Sequence, residues 1–231
     1  MKLIKLELTK DNFMKYIWGA IISTVCAIAV VALIGCIQDE GDTVFTSAYE
    51  ILEMGDIFIR AIYIVFSGVL IANIIVGEFT NDTIKNLFIY PISRKKIMAS
   101  KLVLVFMFTF IMYVVSAYVF YLSMAVLNAA AHMVPEAISA GMMIARIPTV
   151  LSGGLLTAGI SLIALFFGMK KKSISVTIVS SVVIMTILSN SIDGTMSSNL
   201  FSVTFISVGL CLLGIAIGVS SFLNINKVDI N

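Results

Sequence analysis

Long apolar runs separated by short polar stretches set the pattern of this chain. Six runs stand out: residues 16–37, 57–77, 102–127, 147–168, 174–188 and 201–223. A helix needs about 20 mostly apolar residues to cross the hydrocarbon core of a bilayer. The fifth run is short by that measure at its outer end, the third is long enough to tilt, and Arg60 interrupts the second. Lipid offers no partner to a free backbone N–H, so a spanning segment must satisfy its hydrogen bonds internally. The runs are far longer than barrel strands and lack period-two alternation. The pattern therefore predicts an all-α integral membrane protein with six transmembrane helices, forming a single domain over residues 1–231.

Composition agrees with this reading. The chain is 60% hydrophobic and only 12% charged, about half the charge of an ordinary soluble domain. The net charge of +2 suggests no nucleic-acid partner. The placement of charge is more informative. Lys2, Lys5, Lys10 and Lys15 precede the first run, and Lys85, Arg94, Lys95, Lys96 and Lys101 lie between the second and third. Lys170, Lys171 and Lys172 separate the fourth from the fifth, and Lys227 follows the sixth. With six spans these all fall on one side; only Arg60 and Arg146 fall near the other, which instead holds Asp39, Glu40, Asp42, Glu50, Glu53, Asp56, Glu136 and Asp193. The positive-inside rule then places both termini in the cytoplasm. The first outer loop, residues 38–56, is acidic. Residues 1–15 mix Leu3, Ile4, Leu6, Leu8, Phe13 and Met14 with four lysines. They read either as an interfacial amphipathic helix or as a polar lead-in fixed by topology alone.

Several kinds of chemistry lack their residues. No GxxxxGK[ST] phosphate loop is present, so ATP hydrolysis is not expected in this chain. The single histidine, His132, falls in an outer loop without clustered carboxylates, and no metal site is expected. Cys26, Cys36 and Cys211 lie in or beside apolar runs without a CxxC pair and read as helix-packing residues. Leu33, Ile34, Gly35 and Cys36 look like a lipoprotein processing box. The apolar run is longer than a signal core and further spans follow, so an uncleaved first span is expected. Ser152, Gly153 and Gly154 faintly echo an intramembrane serine protease, but its histidine would have to lie within a span. No catalytic residue is assigned.

Two features inside the spans carry functional candidates. Asp56 and Arg60 are four residues apart, share a helix face and can pair. An ionisable group in a membrane is a functional candidate. The alternative is that Arg60 snorkels to water or to Asp56 one turn inside the boundary. Gly214 and Gly218 form a GxxxG in the sixth run, which suits close helix approach within one bundle or at a dimer seam. Elsewhere the spans are nearly free of charge.

The cytoplasmic loop Glu78 to Lys101 is the most specific segment. Ile84, Leu87 and Phe88 share one side of a short predicted helix, Pro91 breaks it, and Ser93 can cap the helix that leads into the third span. Such a helix suits docking of a soluble partner; the plainer reading is an ordinary positive-inside loop. Glu78, then Thr83-Ile84-Lys85, then Pro91-Ile92-Ser93-Arg94, then Lys101 resembles the signature of the permease subunits of ABC-2 type exporters. In layout the resemblance covers the whole chain, and its type V exporter-like form looks most like bacterial bacitracin, lantibiotic or peptide-toxin exporters. The resemblance implies a half-transporter that pairs with a second permease, as a homodimer or with a related chain. It also implies two copies of a separate ABC ATPase, which would hold the ATP and Mg, with no cofactor in this chain. Glu78, Thr83, Ile84, Lys85, Leu87, Phe88, Pro91 and Arg94 would be the ATPase-docking residues. Many such permeases carry a re-entrant hairpin between spans five and six, where this chain has only the short, mostly polar stretch 189–200. The implied function is ATP-driven extrusion of an antimicrobial peptide, peptide toxin or similar amphipathic compound. A non-transport membrane sensor or immunity protein, and an intramembrane enzyme, are the alternatives.

Overall fold

The computed structural model describes residues 13–36, 45, 47–80, 94–131, 134, 136–189 and 204–223, and the described secondary structure is helical throughout. Helix α1 covers Phe13–Cys36 and α2 Ala48–Ile71. A π turn, Ala72–Val76, carries α2 into the short α3, Gly77–Thr80. Helix α4 is Arg94–Ala131 and α5 Ala140–Ala145. Then follow α6, Ile147–Ser161; α7, Ile163–Lys171; α8, Ile174–Ser189; and α9, Thr204–Leu223.

Local chemistry explains where these helices start. Ser47 caps α2, its side chain accepting from the Glu50 N–H at 3.4 Å, in the S-x-x-E spacing of a capping box. The helix therefore begins at Ala48 rather than at Ile57. Glu50, Glu53 and Asp56, expected in an outer loop, are helical residues. Ser139 caps α5 in the same way, accepting from Met142. Pro148 sits in the first turn of α6, where its missing N–H has no helical partner to lose. Lys172, in the left-handed region at φ 48°, ends α7, and the Ser173 N–H returns to the Gly168 carbonyl at 3.3 Å.

Among the described residues, four helical stretches are long and apolar enough to cross a membrane: Met14–Gly35, Ala48–Val76, Ile97–Ala130 and Ile147–Lys171. Helix α8 and the apolar part of α9 are shorter. The outer surface of the bundle is greasy, with Trp18, Leu33, Leu122, Val126 and Leu212 each more than half exposed. Such a surface is stable only in lipid, and the chain is an integral membrane protein.

Helix α2 is the centre of the bundle, touching α1, α4, α6 and α8. Of its most apolar window 67% is buried, against 22% for α1. One core cluster joins Ile51, Leu52, Tyr63, Tyr113, Phe120 and Val150 in one half of the bundle. A second gathers Leu70, Ile71, Ile75, Met98, Val105 and Leu165 around the π turn. Gly214 of α9 packs against α6 so closely that an added Cβ would overlap the Gly159 carbonyl, whereas one at Gly218 would make only ordinary contacts. The close approach at Gly214 is thus made inside this chain.

Candidate functional site

Helix α2 carries a polar stripe along its buried side. Asp56, Arg60, Tyr63 and Ser67 are spaced by four, three and four residues, which keeps them on one face. Each reaches a different neighbour, and the stripe runs toward the π turn that follows α2.

At one end lies a charged cluster. Asp56 is buried; its Oδ1 accepts from the Tyr121 hydroxyl of α4 at 2.5 Å, and its Oδ2 lies 3.6 Å from the Arg146 guanidinium. Arg146, at the α5–α6 junction, is also buried and lies 3.4 Å from Glu53. It donates to the Tyr49 carbonyl at 3.4 Å and sits 4.7 Å from the centroid of the Tyr49 ring. Arg60 is half-buried and its Nε donates to the Tyr113 hydroxyl at 3.4 Å. Gly153 of α6 makes room for this contact: an added Cβ would stand 2.8 Å from the Tyr113 oxygen and 3.2 Å from Arg60 Nε.

Asp56 and Arg60 thus belong to a larger arrangement. Arg60 donates to Tyr113, and Arg146 supplies a cation to Asp56 from across the bundle. The physical reason is desolvation. A buried carboxylate is stable only with hydrogen bonds and an opposite charge, and the packing of α4 and α6 on α2 supplies both. Two arginines facing two carboxylates balance in charge, so the cluster ties helices together more readily than it holds an ion. Arg146 was legible as a cation just before the fourth span. Tyr113 and Tyr121, eight apart and so two turns along α4, gave only a weak signal.

Further along the stripe, hydroxyls pair in the core. Tyr63 Oη and Ser116 Oγ are 2.6 Å apart, and Thr24 donates to Ser116 at 2.7 Å. Ser67 donates to Ser161 at 2.8 Å, and Thr109 to Ser67 at 3.2 Å. These bonds fix the rotation of α1, α4 and α6 against α2. Sequence reading missed them, since isolated serines and threonines in apolar runs carry no address.

The loop end of the stripe is the π turn. Lys101, buried in α4, donates from Nζ to the Ile74 carbonyl at 3.2 Å. A π turn departs from the regular i→i+4 ladder of an α-helix, and such turns concentrate at functional sites. The Thr80 hydroxyl lies 3.1 Å from the Val76 carbonyl and 2.9 Å from that of Lys172. The described residues Thr80 and Lys101, on either side of 81–93, are therefore bound to the α7–α8 turn and to the π turn after α2. Glu78 lies in α3 and Arg94 opens α4. Thr83, Ile84, Lys85, Leu87, Phe88, Pro91, Ser93 and the stretch 190–200 lie outside the described residues, as do residues 1–12 and His132. Among the described residues, no three His, Cys, Asp or Glu side chains are grouped to hold a metal ion.

Comparison with known proteins adds to this geometry. Residues 3–189 match the family model described as ABC-2 family transporter protein. The chain is 33% identical over 230 residues to the uncharacterized protein YcbO of Bacillus subtilis (strain 168), covering 99% of this chain and 100% of that one. No solved structure matches.

Proposed function

Given that the chain belongs to the ABC-2 family of transporter proteins, we propose that it is the membrane-spanning permease subunit of an ATP-driven exporter in the bacterial plasma membrane. It would cross the membrane six times, with α8 and α9 as the fifth and sixth spans and both termini in the cytoplasm. It would pair with a second permease and with two copies of a separate ABC ATPase, which would hold the ATP and Mg. The cargo would be an antimicrobial peptide, a peptide toxin or a similar amphipathic compound.

The observation that carries this reading is the family match, which spans the whole loop 78–101. The geometry at the loop's ends supports it. The described residues on either side of 81–93 are tied to the bundle, Lys101 to the π turn and Thr80 to the α7–α8 turn. Motion of a docked ATPase would pass into α2, and α2 touches most of the bundle. The apolar lipid-facing surface supports a cargo that enters laterally from the membrane. The full-length homology to a Bacillus protein supports a bacterial setting.

An affinity pull-down of the tagged chain from mild detergent tests the reading. Recovery of an ABC ATPase is expected, with loss of that partner in Glu78→Lys and Leu87→Asp variants that still elute as a single species. Recovery of the chain without an ATPase, under conditions where a known exporter keeps its own, would favour the sensor or immunity reading instead.

A further inference from the structure

A groove of about 610 Å³ runs along α8, between α7 and α9. Its walls include Ile163 and Phe167 of α7, Val179, Val183 and Ile187 of α8, and Leu210 of α9. Val179, Val183 and Ile187 recur every fourth residue and form one stripe. They are 61%, 50% and 54% exposed, so the groove opens to the membrane along its length. Among the described residues no charged side chain lines it. Ser180, one of its two serines, donates to the Thr177 carbonyl of its own helix at 2.8 Å. A polar ligand would find little to bind there.

One end of the groove is different. The helices α7 and α8 that form its walls are joined by Lys170, Lys171 and Lys172, all exposed. Lys170 Nζ stands 6.0 Å from the centroid of the Phe166 ring, next in sequence to the wall residue Phe167. The turn is fixed in place, since the Lys172 carbonyl is held by Thr80 and its backbone closes the α7 cap. Three lysines thus stand at the membrane surface where a long apolar channel ends.

The occupant must be apolar along its length and anionic at one end. We propose that the α7–α8–α9 groove binds an anionic phospholipid, with an acyl chain along Val179, Val183 and Ile187 and the phosphate at the Lys170–Lys172 turn. The volume lies within the roughly 300–1,000 Å³ of ordinary ligand sites. Basic pockets between transmembrane helices on the cytoplasmic side take anionic headgroups in this way. A second copy of the chain fits less well. A two-fold seam along α8 would bring two identical lysine turns together at the same membrane level, and like charges there repel. The proposal is independent of the transport reading and needs only that the chain sits in a bilayer.

Tryptophan quenching by brominated lipids tests it. Val183→Trp is made in a Trp18→Phe background, as is a control reporter, Ile111→Trp, on the lipid-facing side of α4. Each is reconstituted in vesicles holding brominated phosphatidylglycerol in ordinary phosphatidylcholine, and in the reverse mixture at the same mole fraction. Val183→Trp should be quenched several-fold more strongly by the brominated phosphatidylglycerol, and Ile111→Trp equally by both. Replacing Lys170, Lys171 and Lys172 by Gln should abolish the preference at Val183→Trp. Equal quenching there, a preference that survives the lysine replacements, or no quenching by either lipid would each overturn the site; the last would mean that protein fills the groove. Mass spectrometry of the otherwise unaltered chain, released from detergent, provides a second reading. Retained phosphatidylglycerol should be lost on the triple Gln replacement, and its persistence or initial absence would refute the proposal.

Discussion

Lys101 of α4 and Ile74 of the π turn that follows α2 are joined by a hydrogen bond of 3.2 Å from the buried Lys101 Nζ to the Ile74 backbone carbonyl. The bond links α4, which follows the segment 81–93, to the helical stretch that precedes it. Lys101→Met keeps the apolar stem and removes the charge-assisted bond. A loss of about 1.5–3 kcal/mol is expected, read as an earlier midpoint on titration of the detergent-solubilised protein with SDS. An unchanged midpoint would show that the bond contributes nothing to holding the loop.

Asp56 and Arg146 form the second long-range tie, and its energetics differ from those of the hydroxyl pairs. Removing one partner of a buried ion pair leaves an uncompensated charge and costs on the order of 3–5 kcal/mol. Asp56→Asn and Arg146→Gln should each destabilise the bundle by about that much. The double variant should be less damaged than the sum of the two. Tyr63→Phe or Ser67→Ala should cost only about 0.6 kcal/mol, the typical worth of one interhelical hydrogen bond in a membrane. A double-mutant cycle in the same SDS assay decides the matter, and additivity of the two charge variants would dissolve the pair.

Gly153 gives a steric test of the same cluster. An added side chain would press on Tyr113 and Arg60. Gly153→Val should destabilise by about 1–3 kcal/mol through overpacking. Gly209, where an added Cβ meets nothing within 4 Å, is the control position. Gly209→Val should leave the unfolding midpoint near that of the parent, and equal damage at both positions would rule out crowding at Arg60 as the cause.

Lys172 stands in the left-handed region at φ 48°, where a β-carbon is unfavourable. Lys172→Gly should therefore raise stability by about 1 kcal/mol. A lowered midpoint would mean that the lysine side chain stabilises the turn by more than its backbone costs.

The proposed topology has its own check. In a chain whose Cys26, Cys36 and Cys211 are replaced by Ala, single cysteines are introduced as Lys95→Cys, Lys171→Cys and Glu136→Cys. In intact cells a membrane-impermeant maleimide should label only the last of these. Labelling of either lysine position would reverse or break the six-span arrangement.

The sequence by itself determined the solvent of this protein. Apolar runs of spanning length are a local property, and no tertiary contact is needed to see that they demand lipid and helices. The ABC-2 family was likewise legible, because the resemblance rests on order and spacing along the chain from Glu78 to Lys101. The start of α2 was missed: although Ser47 and Glu50 have the spacing of a capping box, the acidic residues Glu50, Glu53 and Asp56 read as a loop. Their charge misled because it is neutralised by Arg146, distant in sequence and adjacent in space.

Tertiary structure alone decided which residues meet. Asp56 needed a cation, and desolvation made that need strict, but Arg60 and Arg146 were both available until α6 packed on α2. The π turn at Ala72–Val76 has no mark in its sequence, and a lysine from another helix reaches into it. The centrality of α2, the hydroxyl pairs and the groove beside α8 depend on how helices of similar hydrophobicity rotate against one another. Hydrophobicity along a chain says that a helix is in the membrane, but only complementary side chains across the bundle fix which face it turns to which neighbour.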